Sequence, residues 1–152
     1  MAQVWRIVKE KYADSAFSGE GARRAGGRFN SPGRPVVYTS ASLALAELEI
    51  LVNLPTDRLL ASYVAFRAHV PDAHMTTLDR AALPDHWRTN PAPQAVRALG
   101  DEWLQAKSAL ALRVPSAVVP RENNVLLNPE HPNFENVTVE GPLDPDLDDR
   151  LT

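Results

Sequence analysis

Cysteine is absent from the 152 residues, which excludes disulfides, thiolate metal sites and cysteine nucleophiles. No apolar run approaches the roughly 18 residues a membrane-spanning helix needs. The first residues carry no signal-peptide apolar region either, so the expectation is a soluble, cytoplasmic protein with no membrane partner. The strict nucleotide motifs are also missing. No Gly-x-x-x-x-Gly-Lys-Ser/Thr occurs, and Gly19-Glu20-Gly21 is followed by Arg24 where Gly-x-Gly-x-x-Gly would require glycine, so neither a P-loop nor a Rossmann fingerprint is present. No Gly-x-Ser-x-Gly elbow marks a serine hydrolase. His69 and His74 straddle Pro71, and His86 and His131 lack a second ligand at a metal spacing, so no metal is expected. The three Trp and three Tyr are too scattered for a single-strand stacking platform, and a net charge of −3 argues against bulk attraction to nucleic acid or anionic membrane.

What is there fits one globular domain, 1–152, with 44% hydrophobic residues to build a core. Charge is uneven. Residues 1–34 hold seven Lys/Arg against three acids, whereas 140–152 holds five acids against Arg150. The stretch from Gly19 to Asn53 concentrates the costly local signals. Four of the seven glycines fall between Gly19 and Gly27, where they permit tight turns and close approach to a ligand. Among them and just beyond stand Arg23, Arg24, Arg28 and Arg34, cations suited to phosphate or carboxylate oxygens. A glycine-arginine loop leading into a strand and then a helix with Glu47 and Glu49 reads as a site for an anionic ligand.

In chain order, Val4 to Val8 reads as a central strand with Arg6 inside it, and Tyr12 to Phe17 as a loop or short turn. Gly19 to Gly27 reads as a flexible loop. Pro35 holds Arg34 extended ahead of a strand at Val36 to Thr39, and Ser40 or Ser42 caps a largely buried helix over Leu43 to Leu54. Helical geometry sets Glu47 and Glu49 about 160° apart, so they cannot pair, and periodicity alone does not say which is sheltered. Leu59 to Val70 alternates as a half-exposed strand, Asp72 to Arg88 is loop with a turn near Leu78 to Leu83, and Pro91 to Lys107 contains a helix. Ala109 to Val114, Ala117 to Val119 and Asn124 to Leu127 read as strands, Asn128 to Pro132 as a rigid turn, and Val137 to Glu140 as a last short strand. The tail from about 141 is expected to be loosely structured.

Three residues carry open alternatives at this stage. Arg6 is costly to bury without a partner: it either pairs with a carboxylate or faces a ligand. Ser116, between Pro115 and Ala117, is either an inner hydroxyl serving nearby backbone or a site residue. Tyr38 is either core or site.

Taken together, Trp5-Arg6, Phe17-Ser-Gly-Glu-Gly-Ala22, Gly26-Gly-Arg-Phe-Asn-Ser-Pro-Gly33, Pro35-Val-Val-Tyr-Thr-Ser40, Leu43-Ala-Leu-Ala-Glu-Leu-Glu49, Val114-Pro-Ser116 and Asn124-Val-Leu-Leu-Asn-Pro-Glu-His-Pro132 resemble the RES-domain toxins of bacterial toxin-antitoxin modules. The resemblance runs nearly end to end. Phe29 stands where Trp is common, and Asp144 to Leu151 is a looser version of the usual ending. It implies an α/β fold with a central mixed sheet, similar to ADP-ribosyltransferase toxins, and NAD as consumed substrate, with no resident cofactor. The family's Arg, Glu and Ser map onto Arg28, Glu49 and Ser116 as catalytic residues. Arg6, Tyr38, Asn30 and Ser31 are implied as substrate-binding, with Arg6 and Arg28 as anchors for phosphate or the nicotinamide side and Tyr38 stacking on nicotinamide. The implied reaction cleaves the nicotinamide-ribose bond by hydrolysis or phosphorolysis. The alternatives are protein ADP-ribosyltransfer and a non-catalytic partner-binding module. The implied partner is an antitoxin of the Xre helix-turn-helix type, assembled with the toxin as an oligomer. Any DNA binding would come from that partner.

Overall fold

The computed structural model describes residues 1–53 and 62–151. Seven strands form one mixed sheet: β1 (Ala2–Lys9), β2 (Val37–Ser40), β3 (Tyr63–Val70), β4 (Met75–Thr77), β5 (Ala111–Pro115), β6 (Asn123–Leu127) and β7 (Thr138–Leu143), in spatial order β4-β5-β6-β2-β1-β3-β7. Only β4 and β5 run parallel. Among the described residues, the α-helices α1 (Glu20–Ala25), α2 (Leu43–Leu51) and α3 (Gln94–Ala106) complete the α/β architecture.

Alternation along the strands puts apolar groups on both faces. On β6, Val125 and Leu127 join Val4, Val37, Ala68, Val70, Leu110 and Ala111 in one cluster, while Leu126 between them joins Leu112, Val114, Val96, Trp103 and Leu104 in another. A sheet covered on both sides reads in sequence as nearly continuous hydrophobic runs. Helix α3 supplies Val96, Trp103 and Leu104 to the second cluster. It approaches so closely that a Cβ on Gly100 would lie 1.6 Å from the Phe29 carbonyl oxygen, which presses the Arg28-Phe29 turn against the helix.

The pairing is uneven where it matters for the site. β1 pairs with β3 over eight residues, from Ala2↔Val70 to Lys9↔Tyr63, but meets β2 only at Trp5↔Ser40. Past that point no ladder joins β1 to β2, and the Arg6 side chain spans the interval by donating from Nη1 to Tyr38 O at 2.9 Å.

Several expectations change. The Gly19 to Gly27 stretch is not all loop: positive φ at Gly19 and Gly26 (75° each) brackets the short helix α1, stabilised by the Arg23–Glu20 ion pair. Helix α2 is capped by Ser42, whose hydroxyl accepts from Leu45 N at 3.1 Å, but it is not largely buried. Leu45 and Ala46 face the core, while Leu48 is 42% and Val52 59% exposed. Ala117 to Val119 is no strand, because Ser116 Oγ captures the Val118 and Val119 amides (3.0 Å each) and turns the chain. The edge strand β4 escaped a reading that needs longer alternation. β7 runs on through Gly141-Pro142 to Leu143, so the first tail residues pair with β3. The loop or short turn expected over Tyr12 to Phe17 is a 3-10 helix at Glu10–Ser15 running into a turn. The expected helix end at Leu54 and strand start at Leu59 to Ala61 lie outside the described residues.

Candidate active site

A cleft of about 1170 Å³ opens where β1 and β2 part, lined by Arg6 and Lys9 from β1, Tyr38 to Ser40 from β2, Glu49 from α2, and the loops around Arg28, Arg88 and Ala117. Glu49 lines it; Glu47, on another side of α2, does not, and burial raises its pKa. Three elements converge on Glu49. Ser116 Oγ donates to Oε1 at 2.7 Å, and Asn124 Nδ2 donates to the same oxygen at 2.8 Å. The directions follow by counting. The Ser116 hydroxyl already accepts from Val118 N and Val119 N, so its one hydrogen is free for Glu49. Asn124 Oδ1 accepts from Ser40 Oγ at 2.7 Å, which leaves its amide group for Glu49. Sheet register places these residues, since Ser40 is paired with Trp5 on one side and Asn124 on the other. Oε2 accepts nothing from a described residue and is the oxygen left for a ligand.

The cations are held differently from ordinary surface pairs. Arg6 donates from Nε to Ala16 O at 2.6 Å and from Nη1 to Tyr38 O, and forms no ion pair with a described carboxylate. Burial lowers its pKa to about 10, still above neutral pH, so the charge remains. Arg6 is half-buried, and holding its charge with two carbonyls in place of a carboxylate costs some stability. Arg28 Nη1 donates to Trp87 O and Thr89 O at 3.0 Å each. Burial lowers the Arg28 pKa and Arg97 adds to this, while Glu49 and Tyr38 oppose it. Glu49 and Arg28 thus act on each other across one cleft without touching. In all, Arg6, Lys9, Arg24, Arg28, Arg88 and Arg97 line it against Glu20 and Glu49, and Glu20 is engaged by Arg23 at 2.8 Å.

Of the residues singled out in sequence, Glu49, Arg28, Arg6 and Tyr38 line the cleft together. Ser116 lies directly behind the carboxylate, fully buried. It serves nearby backbone amides, as one of its two readings expects, and its hydrogen also reaches Glu49. Asn30 and Ser31 do not line the cleft. Asn30 is fully buried, with Nδ2 donating to Ala22 O (2.9 Å), Ser31 O (3.1 Å) and Arg34 O (3.4 Å), and Oδ1 accepting from Tyr38 Oη at 2.6 Å. Ser31 N donates to Asp101 Oδ1 at 2.9 Å. Both residues build the loop that carries Arg28. Tyr38 Oη also accepts from Phe29 N at 3.0 Å, and burial raises its pKa, so the hydroxyl stays protonated as the Asn30 donor. Gly27 is required here because a Cβ would stand 2.6 Å from Tyr38 Oη.

Sequence reasoning missed Asn124, Arg88 and Arg97. Asn124 could be found only through its register with Ser40, which no local pattern reveals. Arg97 carries a buried Nε with no partner among the described residues, and Arg88 Nε donates to Ala117 O at 2.9 Å.

Fold and site together define an α/β protein with a basic cleft around one oriented carboxylate. The RES domain matches residues 3–149, and the chain belongs to the RES domain family. It is 39% identical over 132 residues to "Toxin Res" of Yersinia enterocolitica, covering 87% of each chain. It is 38% identical over 149 residues to "Toxin Res" of Photorhabdus laumondii, covering 97% of this chain and 96% of that one. The "Prs ADP-ribosylating toxin" of Sphingobium sp. is 36% identical over 138 residues, covering 88% and 86%. Among solved structures, the M. tuberculosis MbcT-MbcA toxin-antitoxin complex contains a chain that superposes with a TM-score of 0.74 at 19% identity, over 94% of this chain and 84% of that one, a likeness of fold.

Proposed function

We propose that this protein is the toxin of a toxin-antitoxin pair and acts by cleaving the nicotinamide-ribose bond of NAD. The observation that carries the reading is Glu49, with Oε1 held by two neutral donors and Oε2 bonded to no described residue, in a cleft whose arginines have no carboxylate partner among the described residues. In the proposed reaction the C1′–N bond breaks with its electron pair passing to the nicotinamide nitrogen, so the leaving group departs neutral and needs no general acid. Positive charge builds on the ribose, where a fixed carboxylate stabilises it. The arginines offset the two phosphate charges, with Arg6 and Arg28 the strongest candidates because neutral carbonyls already fix their orientation. Water or phosphate then adds at C1′ and gives up a proton. The cleft volume is ample for a dinucleotide.

Transfer of ADP-ribose to a protein is a second reading, favoured by the name of the Sphingobium relative. The two share every step up to the acceptor. An enzyme that drains NAD in the cytoplasm needs restraint, and an Xre-type antitoxin covering the cleft is the proposed partner.

The test is nicotinamide release from NAD by purified protein, with phosphate and host lysate supplied as acceptors. Release is expected, with Glu49→Gln slower by about 10³-fold. Label from NAD retained on one protein band would favour transfer. Intact NAD after long incubation with folded protein and all acceptors would overturn the proposal.

A further inference from the structure

The segment around Arg88 lies outside all three helices and reads in sequence as plain loop, yet it touches both halves of the cleft. From one side Arg28 Nη1 grips Trp87 O and Thr89 O, the carbonyls flanking Arg88. From between them Arg88 reaches the other way, its Nε donating to Ala117 O at 2.9 Å. The Ala117 carbonyl and the Val118 N–H belong to one planar peptide unit and point in opposite directions. Holding the oxygen therefore sets the direction of the N–H. That N–H donates to Ser116 Oγ at 3.0 Å, and Ser116 Oγ donates to Glu49 Oε1 at 2.7 Å. A second clamp, Arg80 Nη2 to Pro120 O at 2.8 Å, closes the same turn from the same segment.

We infer that Arg88 is a positioning residue for Glu49, acting through the 117–118 peptide plane and the Ser116 hydroxyl, and that it locks the Arg28 loop and the carboxylate into one register. The inference rests on the proposed NAD-cleaving reading for its kinetic test but not for its structural one. Arg88 also lines the cleft, and its Nη1 and Nη2 bond no described residue. Direct anion binding is therefore the rival role, and the test must separate the two.

The experiment uses the whole chain with Arg88→Met, which keeps the stem and removes the donors, and Arg88→Lys, which restores one donor. Each is made alone and together with Ser116→Ala. For nicotinamide release, Arg88→Met is expected to lower kcat about tenfold with KM for NAD changed by less than about threefold, and Arg88→Lys to recover most of the loss. In the Ser116→Ala background the effect of Arg88→Met should nearly vanish, since residues acting through one path are non-additive. A loss expressed in KM, or one equally large in the Ser116→Ala background, would overturn the inference, as would an unchanged kcat. Independently of turnover, amide hydrogen exchange at Val118 should speed up in Arg88→Met by about tenfold, while Leu126 in the core keeps its protection. Unchanged Val118 exchange would refute the relay even if the wild type released no nicotinamide, a result that would itself count only against the proposed reaction.

Discussion

At the outer edge of the sheet, Glu140 on β7 accepts from Arg67 Nη2 and lies 3.0 Å from His69 Nε2, both on β3, so the Glu140 carboxylate is answered by a guanidinium across a single strand pair. In the cleft the same residue types are kept apart. Glu49 is met by a hydroxyl and an amide, Arg6 and Arg28 by carbonyls, and no described ion pair joins them. The edge cluster is what a protein makes when charges serve the fold. The cleft holds Glu49, Arg6 and Arg28 with neutral partners, an arrangement that costs stability and leaves these charges available to something that binds.

The comparison can be broken from either side. The largest effect is expected from Asn124→Asp, which sets a second carboxylate against Glu49 Oε1. kcat should fall by about 10²- to 10³-fold. Next comes Arg28→Met, which removes a cleft cation and its grip on Trp87 and Thr89; kcat/KM measured at fixed salt should drop about 10²-fold.

Tyr38→Phe should act on stability. It strands Asn30 Oδ1 and the Phe29 amide, at about 1–3 kcal/mol in urea unfolding. Because burial raises the Tyr38 pKa, its contribution is fully present below the ordinary tyrosine value of about 10 and is lost as pH rises through the raised one. The Tyr38→Phe and wild-type midpoints should accordingly converge only in strongly alkaline buffer. The smallest effect is expected at the edge. Glu140→Gln should leave nicotinamide release unchanged and lower the melting midpoint slightly at pH 7. Arg67 first and His69 second hold the Glu140 carboxyl below its ordinary range. Its contribution is therefore present above about pH 4.3 and fades as pH falls through the lowered value, so calorimetry in acid should find the two proteins alike.

Much of this was legible in the residues. Short apolar runs located β1, β2, β5 and β6, alternation located β3, Ser40 or Ser42 marked the start of α2, and helical phase separated Glu47 from Glu49. The resemblance, not periodicity, chose Glu49. What could not be read depends on register and on long-range backbone contacts. The resemblance implied Asn30 as substrate-binding, whereas its four polar bonds tie the loop to itself and to Tyr38 on β2. Asn124 looked like an ordinary strand residue, and only its pairing with Ser40 brings it to the carboxylate. The turn after Ser116 looked like strand because its apolar composition hides two amides diverted to one hydroxyl. Clustered glycines concealed α1, since they mark its ends at Gly19 and Gly26 as much as they loosen it.

In the proposed reaction the arginines that bind and the Glu49 carboxylate that stabilises the ribose are separate parts of one cleft. Titration of NAD into Glu49→Gln, followed by calorimetry with nicotinamide release measured on the same sample, tests this most directly. The account predicts saturable binding within a few-fold of the wild-type KM, weakened by added salt, with release nearly abolished. Loss of binding with Glu49→Gln, or release at the wild-type rate, would contradict it.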